Sequence, residues 1–245
     1  MEKSLLCKIL FYLSVPSCVF CGEKLDIDDD GLCKSCKKEY DELKKRSCSR
    51  CAKPLNTCSC SNEFLETHYV KRLCKVFRYL GHRGYTPGTH LVFSLKRDNR
   101  EDVLNFLSLE LAESIKSVIT NIDEFTVTNV PRRRLAIIKF GIDHSKILAK
   151  RIAKILGLKY EKLLTSKTKR AQKSLEGKER ISNAEFDVKD VSLNGRRILL
   201  IDDVVTTGAS LGSAAALLHS VGAKEIVGAT LSIAYKDEYE AREVK

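Results

Sequence analysis

The sequence predicts an α/β protein in which a parallel sheet flanked by helices follows a small cysteine-rich module. Nine of the ten cysteines lie before residue 61, and the tenth is Cys74. Beyond residue 67, strand-like and helix-like patterns alternate, which is typical of a parallel sheet. The aliphatic run 198–201 fits a strand that is covered on both faces. We therefore expect a cysteine module over residues 1–66 and an α/β domain over residues 67–245.

The α/β pattern can be followed along the chain element by element. Residues 67–80 have strand-like apolar positions, and Gly81, Gly84, Pro87 and Gly88 predict a loop after them. Further elements are predicted as a helix at 102–118, a strand at 125–130, a helix at 144–156 that stops at Gly157, a helix at 211–219 and a final strand at 225–233. His144, alone at a helix start, is expected to be a cap or a surface residue. Residues 165–185 are long, charged and weakly patterned, which is typical of a functional or disordered loop.

Composition limits the class of protein and its partners. Hydrophobic residues make up 43% of the 245 positions and charged residues 31%, as in soluble globular proteins. The net charge of +11 favours polyanionic partners such as nucleic acid or phosphate-rich ligands. No apolar stretch approaches the roughly 20 residues of a membrane span. Because Lys8 interrupts the apolar segment 5–15, we interpret it as an amphipathic helix and expect a cytoplasmic protein.

The cysteines of the module come in closely spaced pairs. Tight turns that carry two thiolates each can hold one zinc ion between two pairs. The pairs are Cys18 and Cys21, Cys33 and Cys36, Cys48 and Cys51, and Cys58 and Cys60. Disulfides are the alternative, and a reducing compartment favours zinc. Eight thiolates suit two zinc ions, in sequential or cross-braced pairing. The lysine-rich rim of the module indicates either a nucleic-acid contact or a clip that packs on the main domain.

Two acidic residues and a hydroxyl-rich loop follow the aliphatic run. Ligands of parallel sheets collect at the carboxyl ends of strands, where Asp202 and Asp203 are expected. The loop after them consists of Thr206, Thr207, Gly208, Ala209 and Ser210. Its hydroxyls and backbone N–H groups, at the start of a predicted helix, form an anion site. Carboxylates accept hydrogen bonds from a diol or help to hold magnesium. The segment therefore predicts a sugar-phosphate site.

This segment resembles the phosphoribosyl-diphosphate (PRPP) motif of type I phosphoribosyltransferases. The resemblance implies a type I phosphoribosyltransferase-like sheet behind a small zinc-ribbon module. It also implies that Asp202 and Asp203 contact the ribose hydroxyls and that Thr206 to Ser210 hold the 5′-phosphate, with Mg²⁺ bound to PRPP. The basic residues Arg132, Arg133 and Arg134 follow a predicted strand, where guanidinium groups can bind pyrophosphate.

Further motifs extend the resemblance to the ComF family of competence proteins. They are the block from Lys139 to His144 with Leu148-Ala149, the Leu95-Lys96 pair, and Arg170, Gln172, Leu175, Arg180, Asn183 and Phe186. Lys139, which stands in the place of a family arginine, joins the candidate PRPP-binding residues. The resemblance implies a link to DNA uptake and to the competence machinery.

Three functions are compatible with these motifs. In the first, the protein is a phosphoribosyltransferase in which Asp202 or Asp203 steadies the ribose while an unknown acceptor displaces pyrophosphate. In the second, it is a competence factor that binds single-stranded DNA through the zinc module, with PRPP as ligand or signal. In the third, it is a PRPP-responsive regulator without catalysis.

Overall fold

A five-stranded parallel sheet lies at the centre of the protein. The computed structural model describes residues 16–79, 85–132, 137, 141–167, 186–188 and 192–234. The helices are α1 (Lys34–Lys45), α2 (Glu63–Thr67), α3 (Pro87–Arg97), α4 (Glu101–Val118), α5 (His144–Leu156) and α6 (Ala209–Ser220). The strands are β1 (Arg72–Arg78), β2 (Phe125–Asn129), β3 (Lys159–Tyr160), β4 (Leu164–Ser166), β5 (Phe186–Val188), β6 (Arg197–Val205) and β7 (Glu225–Ile233). The main sheet has the order β1-β7-β6-β2-β3, and β4 and β5 form a separate antiparallel pair.

The predicted α/β sheet is confirmed, and β6 lies at its centre between β7 and β2. The aliphatic run Ile198 to Ile201 is fully buried because hydrophobic side chains cover both faces of the sheet. The strand is longer than the aliphatic run, since Asp202 pairs with Thr230 and the pairing continues to Val205. The two acidic residues therefore lie within the hydrogen-bonded part of β6 rather than beyond its end.

Local capping chemistry fixes several helix ends. Asp143 accepts a hydrogen bond from the N–H of Lys146 at the start of α5, and Gly157 ends that helix with φ of 70°. The prediction of a loop at Pro87 and Gly88 is wrong, because both residues belong to the first turn of α3. Thr86 caps that helix, and proline is favoured in a first turn, where its missing N–H costs nothing.

The cysteine module packs directly on the sheet and its helices. Tyr40 of α1 is fully buried, and its ring centroid lies 5.5 Å from that of Phe77 and 5.3 Å from that of Phe106. Lys44 forms an ion pair of 2.6 Å with Glu110 of α4. These contacts give the module and the α/β domain a common hydrophobic core. The short helix α2 spans the predicted boundary between residues 66 and 67.

Parts of the sequence predictions fall outside the described residues. These parts are the helix at 5–15, Cys7, Gly81, Gly84 and most of the charged segment 165–185. Within the ranges that the structure describes, none of the helices combines the length and the apolar character needed to span a membrane.

Candidate ligand site and metal centres

The two adjacent acidic residues of β6 face opposite sides of the sheet, as consecutive strand residues do. Asp202 is half-buried and lines a cavity of about 70 Å³ together with the loop Thr206–Ser210. Asp203 is buried and turned away from that cavity. Its carboxylate accepts a hydrogen bond of 2.8 Å from Arg132, and the ammonium of Lys96 lies 3.4 Å away. The sequence made the two acids look equivalent, and the structure gives them different surroundings.

Electrostatics separates the two carboxyl groups further. Burial raises the pKa of Asp202 well above its usual range, and the neighbouring Asp203 carboxylate raises it further. Burial alone would also raise the pKa of Asp203, but Lys96 and Arg132 outweigh burial and hold that pKa below its usual value. Asp203 is therefore a charged member of an ion cluster. Asp202 is the acid that faces the cavity, where a cation or a ligand hydroxyl can meet it.

The loop between β6 and α6, residues Thr206–Ser210, has the geometry of an anion site; we call it the phosphate loop. Gly208 adopts φ of 91°, which turns the chain sharply into α6. Among the described residues, no hydrogen-bond partner occupies the backbone N–H groups of Thr206, Thr207 and Gly208. Unpaired N–H groups at a helix N-terminus attract phosphate and carboxylate groups.

The remaining predicted PRPP-binding residues are only partly described. Arg132 lies beside the ion cluster through its bond to Asp203, whereas Arg133 and Lys139 lie outside the described residues. Lys96 of α3 was not among the candidate site residues, although it lies within 3.4 Å of Asp203. Its only signal in the sequence was the Leu95-Lys96 pair of the family motifs. The sequence did not indicate the contact of Lys96 with Asp203, because the two residues are far apart in the chain and only the fold brings α3 to the end of β6.

His144 was expected to be a cap or a surface residue, and this expectation is wrong. Its side chain is 2% exposed, and its Nε2 lies 2.9 Å from Oδ1 of Asn99. Asp143 acts as the cap instead. Burial lowers the pKa of His144, and the positive charge of Arg132 lowers it further. The neutral imidazole is therefore favoured, and it packs beside the ion cluster of Lys96, Arg132 and Asp203.

The eight paired cysteines form two separate clusters, each drawn from consecutive pairs. The first cluster contains Cys18, Cys21, Cys33 and Cys36, and the second contains Cys48, Cys51, Cys58 and Cys60. Within each cluster, the sulfur atoms all lie within 4.8 Å of one another. All the described cysteines are free thiols. The structure thus groups the pairs sequentially, with no exchange of pairs between the clusters.

The geometry and the chemistry of both clusters fit zinc. The Sγ atoms of Cys21 and Cys33 are 3.7 Å apart, and those of Cys51 and Cys58 are 3.4 Å apart. Tetrahedral bonds of about 2.3 Å to zinc require sulfur separations of about 3.8 Å. Burial opposes ionisation of Cys18 and Cys51, but hydrogen bonds from nearby backbone and thiol groups bring the pKa of each to about 7. Burial and the neighbouring thiols raise the pKa of Cys60 to about 12. A dication is what permits all the thiols of such a cluster to ionise together.

Comparisons with known proteins agree with this architecture. The double zinc ribbon domain model matches residues 9–75, and the phosphoribosyl transferase domain model matches residues 143–245. Competence protein ComFC of Streptococcus pneumoniae is 25% identical over 230 residues, covering 85% of this chain and 96% of that protein. A ribose-phosphate pyrophosphokinase of Pyrococcus abyssi is 40% identical over 80 residues, which are 32% of this chain and 24% of the kinase. The chain therefore matches about a quarter of that relative's length.

A solved structure also resembles part of the chain. The purine phosphoribosyltransferase of Pyrococcus horikoshii superposes with a TM-score of 0.34 and 18% identity, covering 53% of this chain and 72% of that one. The fold assignment depends instead on the strand order and on the two domain matches.

The sheet, the phosphate loop and the cysteine clusters together define a type I phosphoribosyltransferase-like domain that is joined to a double zinc ribbon. Similarity to a competence protein extends over both parts and across nearly all of that protein's length. The chain thus resembles competence proteins over 85% of its length, with 25% identity to ComFC of Streptococcus pneumoniae and 22% identity to competence protein F of Haemophilus influenzae.

Proposed function

We propose that this protein binds the magnesium complex of PRPP at the carboxyl ends of β2 and β6. The observation that carries the proposal is the cavity in which the carboxylate of Asp202 faces the unpaired N–H groups of the phosphate loop. A ribose 5-phosphate has hydroxyls at one end and a dianion at the other, so its two ends need these two kinds of partner.

Each side chain has a defined task in this proposal. Thr206 to Ser210 hold the 5′-phosphate, and Asp202 accepts a hydrogen bond from a ribose hydroxyl. Arg132 lies at the end of β2 and exchanges part of its contact with Asp203 for the incoming diphosphate. Lys96 keeps Asp203 compensated when Arg132 moves. Arg133 and Lys139 remain candidates for the same diphosphate.

The reaction that this arrangement supports is transfer of the phosphoribosyl group to a nucleophile. The bond between C1 of the ribose and the diphosphate oxygen breaks, and pyrophosphate leaves with the bonding electrons. A lone pair of the acceptor forms the new bond to C1, and the acceptor loses its proton. Asp202 stabilises the positive charge that develops on the ribose, and Arg132 stabilises the departing pyrophosphate.

Replacing Asp202 with asparagine tests this assignment. Asp202→Asn keeps the side-chain shape but cannot ionise when the magnesium complex of PRPP enters the cavity, so we expect PRPP to bind at least about tenfold more weakly, because hydrogen bonds to charged groups contribute about 1.5–3 kcal/mol. Calorimetric titration with Mg-PRPP measures the effect. Asp123→Asn, which changes an exposed acid next to β2, is the control and is expected to bind like the wild type. Unchanged affinity in Asp202→Asn would contradict the ribose contact.

A second candidate function, single-stranded DNA binding, is favoured by exposed aromatic rings that follow the second cluster. Phe64 is 40% exposed and stacks on His68, and Tyr69 is 48% exposed and stacks on His219 with ring centroids 3.7 Å apart. Tyr69 also lines a groove of about 560 Å³ whose wall includes Lys71 and Lys224. Exposed rings beside cations are the usual means of holding unpaired bases and their phosphates.

Replacing the ring of Tyr69 separates this function from PRPP binding. We expect Tyr69→Ala to weaken binding of a fluorescent thymidine oligonucleotide at least about fivefold, because stacking contributes about 1–3 kcal/mol per base. Affinity for Mg-PRPP is expected to stay at the wild-type value. Tyr85→Ala removes another exposed ring, 74% exposed, and serves as the control. Equal DNA affinity in both variants and the wild type would reject this face as the DNA site.

A further inference from the structure

Lys75 of β1 lies in the interior next to the second cluster. Its side chain is 1% exposed, and no acidic side chain among the described residues forms an ion pair with it. Its Nζ donates to the carbonyl oxygens of Cys60, at 2.8 Å, and of Cys58, at 3.3 Å. It also donates to the sulfur atom of Cys58 at 3.4 Å. A buried ammonium group is costly unless a nearby negative charge compensates it.

The second cluster can supply that negative charge. Four thiolates with one zinc dication carry a net charge of −2, and Cys58, whose sulfur atom Lys75 contacts, is 0% exposed. Groups that hydrogen-bond to metal ligands orient the ligands and balance their charge. Lys75 belongs to the sheet rather than to the ribbon, so the same contact joins the metal centre to β1. The amide of Leu73 reinforces this junction by donating to the carbonyl of Ser59 at 2.9 Å.

The chain that leaves the second cluster runs directly under the phosphate loop. Asn62, two residues after Cys60, caps α2 by accepting from the N–H of Leu65 at 2.8 Å. Its Nδ2 donates to the carbonyl of Thr207 at 3.3 Å. Leu65 is fully buried against Gly208, so closely that a Cβ on the glycine would lie 2.8 Å from Cγ of Leu65. The ribbon therefore forms the support on which the phosphate loop rests.

A second contact holds α2 to the cluster from the other side. Arg50 lies between the cluster residues Cys48 and Cys51. Its guanidinium group donates to the carbonyl of Ser61 and to the carboxylate of Glu66, the latter at 2.5 Å. Both ends of the segment 61–66 are thus fixed by residues of the cluster or next to it. Displacement of the cluster would move α2 and, with it, the support of Gly208.

We propose that Lys75 is the charge partner of the second zinc–thiolate cluster and that this cluster positions the phosphate loop through Asn62 and Leu65. The test of the positioning role by PRPP affinity rests on the proposed function. The test by hydrogen exchange does not. Lys75 is a positioning residue, since its contacts are with the cluster and the backbone. The two cysteine clusters then have different roles, because the contacts with the phosphate loop come from the segment that follows the second cluster.

The charge role is tested with Lys75→Met, which keeps most of the volume and removes the charge. We expect one of the two zinc ions to be released to a chromogenic chelator about tenfold to 100-fold faster than in the wild type. In cobalt-substituted protein, the thiolate-to-metal charge-transfer band of one site is expected to shift, since a hydrogen bond to Cys58 is lost. Lys38→Met, which removes an exposed lysine close to the first cluster, is the control for both measurements. Zinc release and spectra identical to the wild type would overturn the charge role.

A rescue variant keeps the test decisive if Lys75→Met does not fold. Replacing Cys60 with histidine in the same chain lowers the cluster charge from −2 to −1, and Cys3His sites bind zinc well. We expect Lys75→Met/Cys60→His to fold and to hold two zinc ions. Failure of that rescue would show that the defect of Lys75→Met does not come from the uncompensated charge of the cluster, and it would overturn the proposal.

The positioning role is tested with Leu65→Ala, which leaves all the cysteines and Lys75 in place. We expect two bound zinc ions, faster amide hydrogen exchange at Gly212, whose N–H donates to the carbonyl of Gly208 at 2.7 Å, and unchanged exchange in β2. Wild-type exchange at Gly212 would overturn the positioning role, whether or not PRPP binds. Affinity for Mg-PRPP is expected to fall in parallel in Leu65→Ala. If the wild-type protein did not bind PRPP, only the proposed function would be contradicted. Hydrogen exchange is measured without a ligand, so it would still test the positioning role.

Discussion

Replacing Gly208 with valine is expected to lower the affinity for Mg-PRPP at least about 100-fold. A valine at φ of 91° is strained, since β-branched residues avoid this region. Its Cβ would also lie 2.8 Å from Cγ of Leu65, so the phosphate loop has to move away from α2. Movement of the loop displaces the N–H groups that face the cavity. Loss of two charge-assisted hydrogen bonds costs about 3–6 kcal/mol, which corresponds to at least about 100-fold in affinity.

Gly157→Val is the matched control for this prediction. Gly157 ends α5 with φ of 70°, and a Cβ at this position meets no atom within 4 Å. Gly157→Val therefore has the same kind of backbone strain as Gly208→Val but no steric clash with a neighbouring side chain. It also lies outside the cavity of the phosphate loop. We expect a lower melting temperature in both variants and a loss of PRPP affinity in Gly208→Val alone, measured by calorimetric titration. Equal affinities in the two variants would argue against the phosphate loop as the ligand site.

Replacing Cys36 with serine is expected to cost at least about 4 kcal/mol of unfolding free energy. Cys36 belongs to the first cluster and lies in α1, whose Tyr40 and Leu43 are buried in the common core. Loss of a structural metal is among the few changes that cause effects of this size. For a chain of this length, such a loss lowers the melting temperature by about 8–16 °C. Calorimetry of the full chain measures the shift, and elemental analysis is expected to show one zinc ion in place of two.

Cys74→Ala is the control that separates the effect of losing a zinc ion from the effect of losing a buried thiol. Cys74 is fully buried in the core but belongs to neither cluster. Its replacement leaves a small cavity that costs about 1 kcal/mol, and two zinc ions are expected to stay bound. If Cys36→Ser were no less stable than Cys74→Ala, the first cluster would have no structural role in the α/β domain.

Local chemistry explains why much of the fold was predictable from the sequence. The final strand begins at Glu225 and ends at Ile233 as predicted. A continuous apolar run of this length is typical of a buried parallel strand. The helix that ends at Gly157 was equally clear, since glycine is the common residue at a left-handed cap. The segment at Pro87 was misjudged because proline and glycine indicate a loop and a helix start alike, and only the cap at Thr86 distinguishes them.

The candidate site was predictable in its residue types but not in its electrostatics. The sequence placed Asp202, Asp203 and the phosphate loop at one edge of the sheet from their order in the chain. It could not separate the two acids, since their environments depend on Lys96 and Arg132, which come from α3 and the end of β2. The burial of His144 was missed for the same reason, because its neighbour Asn99 comes from another part of the chain.

The sequence by itself determined the parallel sheet, the four closely spaced cysteine pairs and the order of acids, hydroxyls and glycine in the phosphate loop. These features depend on residue type and spacing, which act over a few positions. Only the tertiary structure decided that Asp203 is ion-paired, that Lys75 lies against the second cluster and that Leu65 supports Gly208. Each of these contacts joins residues far apart in the chain, where burial and charge compensation act through space and leave no periodic trace in the sequence.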